Sequence, residues 1–470
     1  MLLERLYDND LAQAGYFIGC QVAGEAIVVD ARRDIDDYLA LAHEHDMRIV
    51  AVTETHIHAD YLSGTRELAA ATGATIHVSG EGGQDWQYGF DAERLMDGDT
   101  ITIGNLTVQA RHTPGHTPEH LSFLITDGAF SQGPGYLLSG DFVFAGDLGR
   151  PDLLDEAAGG VETRFEGARL LFTSLRDTFL TLPDHVQVHP GHGSGSACGK
   201  ALGAVPSTTV GYERINAWWA PYLRDDDMEG FVEELLAGQP DAHAYFARMK
   251  RQNKEGPRVL GPLTPPSELT TEEIDQALRK DEIVFVDTRS HADVHRGTVV
   301  GALNIPGPAK AATFGAWAHD PEAEPRPLVL LTSDGDTARQ VRDHLLRVGI
   351  DEVSGYTTTL EGLPTIVPQR IGPEELEGFD AVLVLDVRNK NEYAEGHIFG
   401  AQQLSAGRVL WNLDALPTEG TVVSYCQTGA RNSVAAGALR RAGYDVVELD
   451  GGYVHWLDWK QNRDASAHAG

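Results

Sequence analysis

The amino-acid sequence predicts an α/β multidomain protein, and three observations carry that expectation. The chain has 470 residues, enough for two to four domains. Its apolar runs are short and separated by turns rich in glycine, histidine and proline, so buried strands dominate the first half and alternate with helical patterns in the second. Beyond about residue 265 the same order of elements runs twice, which reads as an internal duplication.

Taken in order, EAIVVD and RIVAVTETH are buried strands that deliver residues to a following loop. TIHVSG, DTITIGNLTVQARHT, HLSFLIT and GYLLSGD are further strands, and EGARLLFTSLRDTFLTL is a helix. Strands flanked by helices make a layered unit. A polar, helical stretch over 208–256 closes it, so the first domain spans 1–256. The proline-rich GPLTPPSELT is a linker. In 265–365 a helix (TTEEIDQAL) leads to a strand (EIVFVDTR), then GALNIP, then PLVLLTSDGD and a helix ending at RVG. In 366–463 GPEELEG, AVLVLDVR, GHIFGAQQL and TVVSYCQTGARNSVAAGALRRAGYDVVELDGGY repeat that order. Each repeat is predicted to be a small doubly wound parallel-sheet domain.

A net charge of −33 argues against a broad basic face for nucleic acid or anionic membrane. No run approaches the roughly 18 apolar residues of a membrane span, and MLLERLYDND has charges where a leader would be apolar. Three cysteines, Cys20, Cys198 and Cys426, fit a reducing compartment better than a disulfide framework. A cytoplasmic protein is expected.

The first domain carries a candidate metal site. TETHIHADYLSG places His56, His58 and Asp60 at alternate positions in a loop that leaves a strand, followed by Tyr61. Further on come His116 in HTPGHT, Asp141 in SGDFVF and His192 in HPGHGSGSACG. Imidazole and carboxylate converging in this way suit zinc, iron or manganese. The ordered set H-x-H-x-D, TPGHT, SGD and PGH resembles the metallo-β-lactamase superfamily over about 1–200, which implies an αββα sandwich. THIHADYLSG, TPGHTPEH, the GRPD of Gly149–Asp152 and GHGSGSACGK are most similar to its persulfide dioxygenase branch.

In two-metal members of the superfamily a histidine stands where Tyr61 is, and a phenol replaces it poorly on zinc. One metal position is therefore expected to be disabled, although Tyr61 can equally be read as core packing. The resemblance implies one Fe(II) per chain, held by His56, His116 and Asp141. His58, Asp60 and His192 would then orient those ligands or face the substrate. Arg150 is a candidate for holding an anionic thiol substrate, against a plain surface salt bridge. Cys198 is a candidate for holding sulfane sulfur near the iron, against an incidental small residue in a turn. Cys20 reads as buried filler.

VVSYCQTGARNS sets Cys426 between an apolar strand and a helix. Backbone N–H groups and the helix N-terminus there favour a thiolate and then a persulfide, and Arg431 can pair with sulfite or thiosulfate. With Asp386, Arg388, Glu392 and His397 upstream, this resembles the rhodanese family over roughly 366–463. Aligned without gaps on its helix end, the unit over 265–365 has Thr332 in place of Cys426 and Thr337 in place of Arg431. It is expected to be inactive, a spacer or interface.

The two resemblances together imply a persulfide dioxygenase fused to a rhodanese pair. The expected partners are a small-molecule persulfide such as glutathione persulfide, O2, and sulfite or thiosulfate, in a homo-oligomer without nucleic acid or membrane. The alternative is a zinc-dependent thioester hydrolase of glyoxalase II type with a rhodanese appended.

Overall fold

The computed structural model describes residues 1–153, 155 and 163–469, with side chains to 465. The chain divides into two compact units, 1–242 with 246–263 and 243–245 with 264–470. Among the described residues no helix is long and apolar enough to cross a membrane.

In the first unit, β1 (Leu2–Asp8), β2 (Gln13–Cys20), β3 (Glu25–Val29), β4 (Arg48–Thr53), β5 (Thr75–Ser79) and β6 (Glu93–Leu95) form one sheet in chain order. The opening MLLERLYD, which sequence reading used only to argue against a leader, is its edge strand, paired antiparallel from Leu2↔Gly19 to Asp8↔Gln13. A second sheet has the order β12-β11-β10-β9-β8-β7. Its strands are β7 (Thr100–Ile103), β8 (Leu106–His112), β9 (Leu121–Asp127), β10 (Tyr136–Gly140), β11 (Gln187–Pro190) and β12 (Thr208–Thr209).

Side chains on a strand alternate between faces, and here both faces are buried. Ile27 and Val29 point between the sheets with Ile103, Val108, Phe123 and Leu138. Ala26 and Val28 point outward onto Tyr38 and Leu68 of the helices Asp36–Glu44 and Thr65–Thr72. On the far face, Leu124, Leu137 and Val188 pack on Leu171, Phe172 and Leu175 of the helix Thr163–Asp177. The result is a four-layer αββα sandwich. The helix expected over 166–182 stops at Asp177 and continues as a 3-10 turn, Phe179–Thr181. Leu182 is extended (φ −74°, ψ 150°) because it precedes Pro183.

The second unit holds two five-stranded sheets of one topology. The first is β13-β18-β17-β14-β16, from β13 (Ser267–Glu268), β14 (Val284–Asp287), β16 (Leu303–Asn304), β17 (Leu328–Leu331) and β18 (Val353–Thr357). The other is β20-β24-β23-β21-β22, from β20 (Arg370–Ile371), β21 (Ala381–Asp386), β22 (Gln402–Gln403), β23 (Thr421–Tyr425) and β24 (Asp445–Leu449). Every pairing in both is parallel. Their connecting β15 (Thr298–Val299) and β19 (Thr365–Ile366) pair antiparallel.

Candidate metal centre and cysteine loop

Four strand ends supply the first site. Beyond β4 come His56 and His58, and the β8–β9 loop carries His116. Asp141 follows β10, and His192 lies two residues past β11. The approach is close: a Cβ on Gly140 (φ +52°) would lie 2.7 Å from His120 Nε2 and from Thr55, so only glycine lets Asp141 in.

Asp141 Oδ2 lies 3.5 Å from His116 Nε2 and 3.9 Å from His56 Nε2, and the three ligand atoms fall within 4.8 Å of one another. The far ring nitrogens are already committed. His56 Nδ1 is 2.9 Å from Thr55 Oγ1, and His116 Nδ1 is 2.9 Å from the Arg150 carbonyl. Asp141 Oδ2 is buried and has no hydrogen-bond partner, an arrangement costly unless a cation sits there. Burial, with the neighbouring histidines, pushes His56 well below the ordinary imidazole range, and burial lowers His116 too. Neutral imidazoles are the form that binds metal. For Asp141 burial raises the pKa, but the charge and hydrogen bond of His192 outweigh it and hold the carboxyl below its usual range. The donor set therefore fits a metal with two imidazoles and a carboxylate.

Around it, His192 bridges two carboxylates, with Nδ1 2.7 Å from Asp141 Oδ1 and Nε2 2.8 Å from Asp60 Oδ2. Cys198 Sγ joins Asp60 and His192 in a second group whose ligand atoms lie within 4.8 Å of one another. Burial pushes the Cys198 thiol up to about 12. His58 turns its Nε2 to Asp30 Oδ1 at 3.0 Å and leaves Nδ1 buried without a partner. Tyr61 is fully buried against the His58 ring, centroids 4.5 Å apart, and its hydroxyl has no partner. Its backbone is pinned instead: Asn253 Nδ2 donates to the carbonyls of Tyr61 (2.7 Å) and His58 (2.8 Å).

Arg150 is not at the surface. Its Nε and NH2 donate to Asp152 at 2.8 and 2.5 Å and its NH1 to the Ala197 carbonyl at 3.2 Å, all buried or nearly so. It braces the loop whose carbonyl orients His116. Sequence reading missed Asp30, His120 and Asn253. Asp30 has a visible signal, an acid ending the apolar run EAIVVD. His120 Nε2 accepts from the Asp141 N–H at 3.1 Å. Asn253 is distant in sequence, and nothing local marks it.

In the second unit Cys426 is buried directly after β23, and the Gly429 N–H donates to its Sγ at 3.1 Å. Arg431 gives NH1 and NH2 to Glu392 Oε2 and Oε1 at 2.6 and 2.7 Å. The guanidinium expected to face an anion thus has a carboxylate partner. Arg388 pairs with Asp386 (NH2 to Oδ2, 2.6 Å) and covers the Tyr453 ring at 4.0 Å.

Known proteins match both regions. The metallo-beta-lactamase superfamily model matches residues 10–192 and the rhodanese-like domain model residues 374–458. A crystal structure of a metallo-beta-lactamase from Staphylococcus aureus subsp. aureus COL is 36% identical with a TM-score of 0.65, covering 76% of this chain and 98% of that one. The mitochondrial persulfide dioxygenase ETHE1 of Bos taurus is 26% identical over 200 residues, 41% of this chain and 68% of that protein. The probable polyketide biosynthesis zinc-dependent hydrolase BaeB of Bacillus velezensis is 26% identical over 199 residues, 42% of this chain and 80% of that protein.

Proposed function

The chain belongs to the metallo-β-lactamase superfamily and carries a rhodanese-like domain near its C-terminal end, and from that premise we propose that it is an iron-dependent persulfide dioxygenase with sulfurtransferase activity. The observation that carries the reading is the trio His56, His116 and Asp141, with its orphaned carboxylate oxygen, beside a tyrosine where a second metal would need a histidine. The likeness to the persulfide dioxygenase of Bos taurus supports the substrate class.

His56, His116 and Asp141 would hold one Fe(II) per chain. When bound, the iron would supply the open positions and the electron transfer that O2 chemistry needs. The protein's own groups hold the geometry. The Arg150 carbonyl and Thr55 hydroxyl fix the two imidazoles, and His192 holds Asp141 by the oxygen that faces away from His56 and His116. The overall reaction converts R-S-SH, O2 and water into R-SH, sulfite and two protons. Cys426 accepts sulfane sulfur and passes it to sulfite, giving thiosulfate, or runs the transfer in reverse. Two activities in one chain keep the intermediate at high effective concentration. The middle unit, 265–365, is an inactive rhodanese-like unit and 366–463 the active one.

The test is metal analysis of anaerobically purified protein together with oxygen uptake on glutathione persulfide. About one iron per chain with oxygen uptake is expected. Two zinc ions per chain with thioester hydrolysis would replace this reading by the hydrolase one.

A further inference from the structure

The loop that holds Cys426 touches a histidine from the other sheet of the second unit. A Cβ built on Gly429 would lie 3.1 Å from Cδ2 and 3.3 Å from Nε2 of His291, so the imidazole rests directly on the residue whose N–H binds the cysteine sulfur. His291 opens the short helix His291–Val294 of the middle sheet's connection and is half-buried. Among the described residues neither of its ring nitrogens has a hydrogen-bond partner, and its one ring neighbour is His295, at 5.8 Å and edge-on.

The contact is held from both sides. His295 Nε2 lies 3.2 Å from Glu448 Oε2, which also accepts from Asn432 Nδ2 at 3.0 Å, and Ser433 Oγ donates to Asn304 Oδ1 at 2.6 Å. Asn432 and Ser433 belong to the first turn of the helix Ala430–Arg441 that follows the loop, while His295 and Asn304 belong to the middle unit. The position of His291 over Gly429 is therefore set by the same packing that sets the loop. Meanwhile NH1 and NH2 of Arg431, the cation nearest in sequence, are given to Glu392. His291, beside the Cys426 loop at Gly429, keeps its ring nitrogens uncommitted among the described residues.

We propose that His291, carried by the unit without a thiol, donates a hydrogen bond to the oxyanion end of the sulfur donor at Cys426, so that the middle unit completes the transfer site. The inference rests on the reading of Cys426 as the sulfur carrier. In the step it serves, the Cys426 thiolate attacks the outer sulfur of thiosulfate and a new S–S bond forms. The donor's S–S bond breaks and its electron pair leaves with sulfite, so no further oxidant or reductant is needed. A neutral imidazole N–H suffices, which agrees with the downward shift that burial and His295 impose on His291. Its hydrogen bond strengthens as charge builds on the departing sulfite.

The test is thiosulfate-to-cyanide sulfur transfer by the full chain and its His291→Ala and His291→Asn variants, with the two half-reactions separated kinetically. His291→Ala should lower kcat/KM for thiosulfate about tenfold, the scale of one hydrogen bond to a charged group. It should leave kcat/KM for cyanide unchanged, since thiocyanate formation releases no oxyanion. His291→Asn, which keeps a side-chain N–H, should recover part of the loss. A merely structural role would lower both constants together and shift Tm. That result, or an unchanged thiosulfate constant in His291→Ala, overturns the proposal. Failure of the wild-type chain to transfer sulfur at all would instead overturn the reading of Cys426, and this inference with it.

Discussion

The two sheets of the second unit have one strand order, and they differ most in one loop, which holds a cysteine in one and a threonine in the other. Both keep the acid–arginine pair at the end of the second strand, Asp287 with Arg289 and Asp386 with Arg388. They diverge after the fourth strand, β17 in one and β23 in the other. Beyond β23 the helix begins behind Gly429, whose φ of +116° and lack of a side chain leave the loop's N–H for the Cys426 sulfur. Beyond β17 the helix Gly335–Leu346 begins one aligned position earlier, capped by Asp334. The Asp334 carboxylate takes the Thr337 N–H at 2.7 Å, and the Thr332 hydroxyl donates to the Asp334 carbonyl at 3.0 Å. An ordinary N-cap thus stands in this loop, where the loop after β23 turns an N–H to the Cys426 sulfur. The middle loop differs by more than a thiol: its Thr337 N–H and Thr332 hydroxyl both bond to Asp334.

The largest effect that could break this contrast is expected of Cys426→Ser. No other cysteine lies in 264–470, so sulfur transfer measured with thiosulfate and cyanide should be abolished, while a small persulfide should still be oxidised and sulfite should accumulate in place of thiosulfate. Transfer that persists would show that Cys426 is not the carrier and would move the activity to Cys20 or Cys198 of the first unit. Asp141→Ala should remove the anionic ligand, and with it the bound iron and oxygen uptake, yet leave thiosulfate-to-cyanide transfer intact. A parallel loss of transfer would mean that the Cys426 loop depends on the metal centre.

A smaller effect separates the two acid–arginine pairs. Arg388 is 2% exposed but Arg289 33%. Asp386→Ala strands a buried guanidinium and should cost about 3–5 kcal/mol, whereas after Asp287→Ala the arginine can reach water, and about 1–3 kcal/mol is expected. Denaturant unfolding of the two variants gives the order, and equal losses would refute the distinction. The smallest expected change is none at all. Thr332→Cys supplies a thiol but leaves the Asp334 cap in place, so mass spectrometry after thiosulfate treatment should find no added sulfur within 265–365. Sulfur on that cysteine would show that the missing thiol, not the carboxylate cap, silences the loop.

Much of this was legible before the structure. Strands β3 to β5 and β7 to β10 of the first unit followed from short apolar runs between turns, and the duplication from the repeated order of elements, because side-chain period and turn residues are local properties. The sequence marked His56, His58, Asp60, His116, Asp141 and His192 as candidates by their spacing and loop placement, and the family resemblance singled out His56, His116 and Asp141 among them. Other roles were not local. Arg150 reads in GRPD as a cation for an anionic substrate or for a surface salt bridge, but the fold buries it on Asp152 and its carbonyl meets His116. Tyr61 reads in the sequence as the loss of one metal position or as core packing, and the fold buries it against the His58 ring.

By itself, then, the sequence determined the layered α/β architecture, the duplicated parallel sheets and the residue types available for chemistry. The tertiary structure decided which of those side chains remain uncommitted. Asp141 keeps an oxygen without a partner, Arg431 does not stand alone, and His291 meets a loop 138 residues further along the chain. The reason is physical. Periodicity and turn chemistry act over a few residues, but a buried polar group's partner is set by whatever the fold brings within about 3 Å of it, and that distance has no counterpart in sequence separation.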